Sequence, residues 1–155
     1  MVMNNSRNAQ INQYLVTQIQ TASKEQLLLI TYDIGIKNCR AAELALSKGE
    51  LEEANSCVLR AQEVVRELTI TLDVDKGGEI AENLLSLYDF MYRQLIEGNM
   101  KKAPDIISLV RGMLEELRDT WEQAIEKIVT ERSEAASVEN KPSPGLTAGG
   151  FNVAG

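Results

Sequence analysis

In the stretch Leu51-Glu52-Glu53-Ala54-Asn55-Ser56-Cys57-Val58-Leu59-Arg60-Ala61-Gln62-Glu63-Val64-Val65-Arg66-Glu67-Leu68-Thr69-Ile70-Thr71-Leu72, the apolar residues Leu51, Ala54, Val58, Ala61, Val65, Leu68 and Leu72 recur at alternating intervals of three and four. A helix turns every 3.6 residues, so this spacing lines one face of a helix. A strand would need alternation by two. The stretch is bounded by Gly49 on one side and by Asp73-Val74-Asp75-Lys76-Gly77-Gly78 on the other, whose glycines can adopt the left-handed backbone that ends a helix.

Three further helical segments flank this one. The first opens at Thr21-Ala22-Ser23-Lys24-Glu25-Gln26 and stops near Gly49. There Ser23 can cap free N–H groups, and Gln26 can reach back to the backbone of Ser23. The third runs from about Gly78 to Glu97 and stops at Gly98, with Ile80, Leu84, Leu87, Met91 and Leu95 as its seam. The fourth starts at Pro104, whose fixed φ suits a first helical turn, and continues to about Thr130. Its seam is Ile106, Val110, Met113, Leu117, Ala124 and Ile128. Short connections make successive helices antiparallel, so the expected fold is all-α, an antiparallel four-helix bundle over residues 21–132.

Both ends fall outside that plan. Residues 1–20 form an N-terminal segment that is polar at first, with apolar groups from Ile11 to Ile19 that need something to pack on, so the segment is expected to lie across the bundle. Residues 133–155 hold two of the three prolines and four of the ten glycines, a composition expected to leave them disordered.

Composition excludes several functions. With 16 Lys and Arg against 23 Asp and Glu, the formal net charge is −7, and no basic stripe is present to displace the counterions of a nucleic acid. No apolar run approaches the roughly 20 residues of a membrane span. The two cysteines make no secreted disulfide framework and no signal sequence opens the chain, so a cytoplasmic location is expected. There is no histidine, which removes the commonest general base, the usual nucleophilic triads and the Glu-x-x-His pairs of di-iron bundles. The loop from Asp73 resembles a calcium loop only faintly, since its twelfth position is Leu84. Cys39 and Cys57 sit within apolar helical patterns and read as buried packing. No metal, cofactor or enzymatic activity is expected.

The remaining signal is the width of the apolar stripes, because a bundle helix needs to bury an arc of roughly 100°. The third segment adds Leu85, Tyr92 and Ile96 to one flank of its seam, and the fourth adds Ile107, Leu114 and Ile125. The second carries Leu59 and Ile70 on the side away from its seam, among Gln62, Glu63, Arg66 and Glu67. These eight residues are the candidate binding surface. The surplus can be covered by the N-terminal segment, by a second copy in a homodimer, or by a partner laid in grooves between helices, or it can simply thicken the core.

The order of motifs adds a resemblance. Tyr14, then Thr21-Ala22-Ser23 with Leu27, then Thr31-Tyr32-Asp33 resembles the opening of the flagellin-specific export chaperones of bacterial flagella. Leu72-Asp73, Gly77-Gly78-Glu79-Ile80-Ala81, Asn83-Leu84 and Leu87-Tyr88-Asp89-Phe90-Met91 are similar to that family's most specific block, continued by Leu95 and Asn99. Leu117-Arg118-Asp119-Thr120-Trp121 is similar to its closing motif. Thr31 departs from the larger apolar residue expected before the Tyr-Asp pair. The resemblance implies a chaperone that binds the disordered C-terminal region of flagellin in the cytoplasm, prevents its polymerisation and delivers it to the flagellar type III export gate. It also implies that Ile11 and Tyr14 help present the loaded chaperone to the gate protein. The competing reading is a self-associating structural bundle with no flagellin client.

Overall fold

A computed structural model of the chain describes Ala9, Gln10, Gln13 and residues 23–140. Ile11, Tyr14 and the stretch 141–155 lie outside the described residues. Four helices follow in order: α1 Lys24–Ser47, α2 Leu51–Ile70, α3 Val74–Lys101 and α4 Pro104–Asn140, with no strand among the described residues.

Each helix boundary has a local cause. Ser23 caps α1 as its sequence suggests: its hydroxyl accepts from Gln26 N–H at 3.2 Å, and its own N–H donates to Gln26 Oε1 at 3.2 Å. At the other end of α1, Gly49 takes φ +72, a left-handed value that a side chain resists. The loop expected over residues 73–78 is instead the start of α3. Asp73 accepts from Lys76 N–H at 3.1 Å and caps a turn beginning at Val74, and Gly78, at φ 56 and ψ −133, breaks the helix before it continues.

Gly98 is not the stop that its type suggested. It is buried within α3, and a Cβ there would meet Ile107 Cδ1 at 2.7 Å and Ile106 Cγ2 at 3.1 Å. The missing side chain lets α4 approach α3 closely. α3 ends three residues later, where Lys102 adopts the left-handed conformation at φ 52 and ψ 45. Gly35 has the same role in α1, since a Cβ would lie 2.9 Å from Val64 Cγ1 on α2 and 3.3 Å from Leu114 Cδ1 on α4.

α4 runs past the end expected near Thr130, and residues 133–140 continue the helix. Glu134, Ala135, Ala136 and Glu139 are good helix formers, and the first residue to oppose helix is Pro142. Composition averaged over 133–155 concealed this. The chain divides into two compact units, Met1–Asp119 and Thr120–Gly155. In the second, Trp121 and Ile125 are half-buried, while Ile128 and Val129 are exposed.

Within the first unit the helices form an antiparallel ring. Asn99 donates to Asn55 at 2.8 Å and Arg66 to Tyr92 at 3.4 Å, so α3 runs back along α2. Arg111 with Glu43 and Arg118 with Asp33 set α4 antiparallel to α1. Inside, the hydroxyls of Tyr32 and Tyr88 meet at 2.6 Å, joining α1 to α3 through the core.

The seams of α3 and α4 are rotated from their wheel positions. On α3, Ile80 is 72% exposed and Leu87 is also exposed, whereas Ala81, Leu84, Tyr88, Met91 and Leu95 face inward. On α4, Ile107, Val110 and Leu114 are fully buried, and Ile106, Met113 and Leu117 only half-buried. A wheel gives the width of an apolar arc, but the positions of the neighbouring helices decide its centre.

Candidate functional site

The exposed flanks of α2 and α3 meet in a groove. Its wider part, about 470 Å³, is lined by Arg66, Thr69 and Ile70 from α2 and by Leu85, Tyr88, Asp89 and Tyr92 from α3. A narrower part of about 220 Å³ follows, lined by Leu59, Gln62, Glu63, Arg66 and Tyr92. Leu59, Arg66 and Ile70 share a face of α2 because they lie seven and four residues apart, close to two turns and one turn. The antiparallel crossing brings Ile70 beside Leu85, and Leu59 beside Tyr92.

Four of the eight candidate residues, Leu59, Ile70, Leu85 and Tyr92, therefore line one continuous surface. Leu59 is 47% exposed and Ile70 69%, large values for apolar side chains with no structural partner. Ile96 stands exposed one turn beyond Tyr92 on the same flank of α3. The remaining three are different. Ile107 and Leu114 have no accessible surface and belong to the core, because α1 and α3 close over the side of α4 that the wheel had assigned to solvent. Ile125 lies in the second unit.

Arg66 and Asp89 line the groove without having been candidates. The detectable signal was position: Arg66 occupies the same helical face as Leu59 and Ile70, and Asp89 lies four residues from Leu85. Asp89 pairs with Arg93 at 3.0 Å.

The face between α1 and α4 has the opposite character. Arg111 binds Glu43 at 2.6 Å and Glu115 at 3.0 Å, Arg40 binds Glu115 at 2.6 Å, and Arg118 pairs with Asp33. Charge closes this side, in contrast to the apolar residues that line the α2–α3 groove.

Both cysteines are free thiols buried in the first unit. Cys39 has no exposed surface, and desolvation, helped by the nearby Glu43 carboxylate, pushes its thiol from an ordinary 9.0 up to about 12. The native state thus keeps this proton between pH 9 and 12 while the unfolded chain releases it. Stability contributed by the neutral thiol is complete below pH 9 and is lost as pH rises toward 12, by on the order of 4 kcal/mol. Denaturation across this range should show the stability difference between wild type and Cys39→Ala constant below pH 9 and falling above it. A difference that stays level to pH 12 would contradict this account.

Among the described residues no cluster of His, Cys, Asp or Glu could hold a metal ion, and no helix is long and apolar enough to cross a membrane. Residues 6–128 match the model of the family described as "Flagellar protein FliS". The flagellar secretion chaperone FliS of Bacillus subtilis is 31% identical over 113 residues, covering 73% of this chain and 84% of that protein. Its counterpart from Salmonella typhimurium is 32% identical over 106 residues, covering 68% and 78%. A crystal structure of a flagellar chaperone from bacteria superposes with a TM-score of 0.63 at 20% identity, covering 78% of this chain and 98% of that one. With the helical ring and a family match over residues 6–128, the chain belongs to the FliS family of flagellar secretion chaperones.

Proposed function

We propose that this chaperone binds the disordered C-terminal region of flagellin in the cytoplasm, prevents its premature polymerisation and delivers it to the flagellar type III export gate. The observation that carries this reading is the open apolar groove between α2 and α3 on a member of a flagellar chaperone family. An amphipathic client segment laid there would bury its own adhesive face, and the part of flagellin that drives assembly would be occupied. At about 25 cal/mol per Å², an apolar contact of some 1,000 Å² offers about 25 kcal/mol, most of it offset by ordering the client. The complex is therefore firm yet releasable.

Calorimetry of the full chain with a synthetic peptide of the flagellin C-terminal region should show binding with a negative heat-capacity change and a gain of peptide helicity. No heat at any temperature, with unchanged circular dichroism, would remove the assignment. A rise in apparent mass with concentration and no peptide binding would favour the self-associating bundle.

Ile11 and Tyr14, three residues apart, could share one face of a helical turn and are proposed to contact the gate protein. Ile11→Ala with Tyr14→Ala should leave flagellin bound but reduce capture of the complex by the gate protein's cytoplasmic domain. Equal capture of wild type and double variant would make them packing residues only.

A further inference from the structure

Arg66 and Tyr92 line both parts of the groove, and the Arg66 guanidinium donates across it to the Tyr92 hydroxyl at 3.4 Å. The bridge stands between a wider compartment around Ile70 and Leu85 and a narrower one in which Leu59 is flanked by Gln62 and Glu63. At 3.4 Å the hydrogen bond is long and weak, and Arg66 takes part in no ion pair among the described residues. Asp89, the carboxylate of the wider compartment, is already engaged by Arg93. Gln62 and Glu63 line the narrower compartment beside Arg66 but form no hydrogen bond or ion pair with it among the described residues, so the exposed cation is held only by its long bond to Tyr92.

Filling the groove changes the energetics of that cation. A segment covering Leu59 at one end and Ile70 at the other removes water from Arg66, and a guanidinium losing its hydration needs a replacement acceptor. A carboxylate meets the need with charge-assisted hydrogen bonds, bidentate where the planes align. Resting on the reading of this groove as the client site, we infer that Arg66 is a specificity-determining residue which requires an acidic side chain in the bound segment.

The geometry states where that acid belongs. At a rise of 1.5 Å per residue, Arg66 is about 6 Å along α2 from Ile70 and about 10 Å from Leu59. A helical client therefore carries its acid one turn from the apolar anchor of the wider compartment and two turns from the anchor of the narrower one. The requirement also disfavours residues 1–22 and 141–155 as occupants, since neither stretch contains an Asp or Glu side chain to meet Arg66.

The test is calorimetry of the full chain with the synthetic flagellin C-terminal peptide, at low and high salt, using wild type and Arg66→Gln. A parallel set of peptides has each acidic residue replaced by its amide. Arg66→Gln is expected to weaken binding about tenfold and to flatten its salt dependence, with an unchanged melting temperature because the side chain is exposed. One amide peptide should show the same loss on wild type and no further loss on Arg66→Gln. Wild-type affinity for Arg66→Gln, or additive losses for every amide peptide, overturns the inference. Ile70→Lys and Leu85→Lys separate the two levels. If they abolish binding while Arg66→Gln is silent, only the role of Arg66 falls; if they too are silent, the groove itself is not the client site.

Discussion

Leu114→Lys is expected to prevent folding, and Leu114→Ala to lower the unfolding free energy by about 3 kcal/mol. Leu114 has no accessible surface, and its Cδ1 would lie 3.3 Å from a Cβ at Gly35, where α1 packs against both Val64 of α2 and Leu114 of α4. Truncation leaves a cavity that the glycine contact cannot close, because backbone rather than a flexible side chain faces it. A lysine would bury a charge with no partner, a loss larger than the stability of many small domains. Urea titration of the full chain measures both. By contrast, Leu85→Ala, at a side chain 37% exposed, should cost only about 1 kcal/mol. If the two alanine variants lose equal stability, Leu114 does not have the core role assigned to it.

Ile70→Lys combined with Leu85→Lys should weaken binding of the flagellin peptide at least about a hundredfold while changing stability by no more than about 1 kcal/mol. Both side chains are exposed in the free chain, so each ammonium stays in water until a client covers it. Only the complex would need to strip that hydration, and the penalty therefore falls on affinity. The two residues face one another across the wider compartment, so their effects should not be additive. Peptide titration followed by fluorescence or heat, with thermal melts of the same samples, separates the two quantities. Retained affinity would move the client to another face, and a collapse in melting temperature would make these residues core.

Half of the candidate residues line the α2–α3 groove, which the sequence offered as a set of residues but not as a place. Leu59 and Ile70 stood out because they interrupt a polar face, and Leu85 and Tyr92 because they widen an apolar one. Which flank of α3 lay beside which flank of α2 had no counterpart in either segment alone. The same ambiguity put Ile107 and Leu114 among the exposed candidates, when they are among the most deeply buried residues of α4.

Local chemistry acts within a turn or two, so the sequence by itself determined what depends on short range: the period of α2, the capping box at Ser23 and Gln26, and the helix start at Pro104. Features set by contacts between distant residues were decided by the tertiary structure. Gly98 reads as a helix stop because glycine favours left-handed ends, yet Ile106 and Ile107 press against it and it serves as a contact point. The seams of α3 and α4 rotated for the same reason, since an apolar arc wider than one interface is satisfied by several orientations. Packing all four helices at once leaves one of them, and among the apolar residues that this orientation does not cover, Leu59, Ile70 and Leu85 line the groove between α2 and α3.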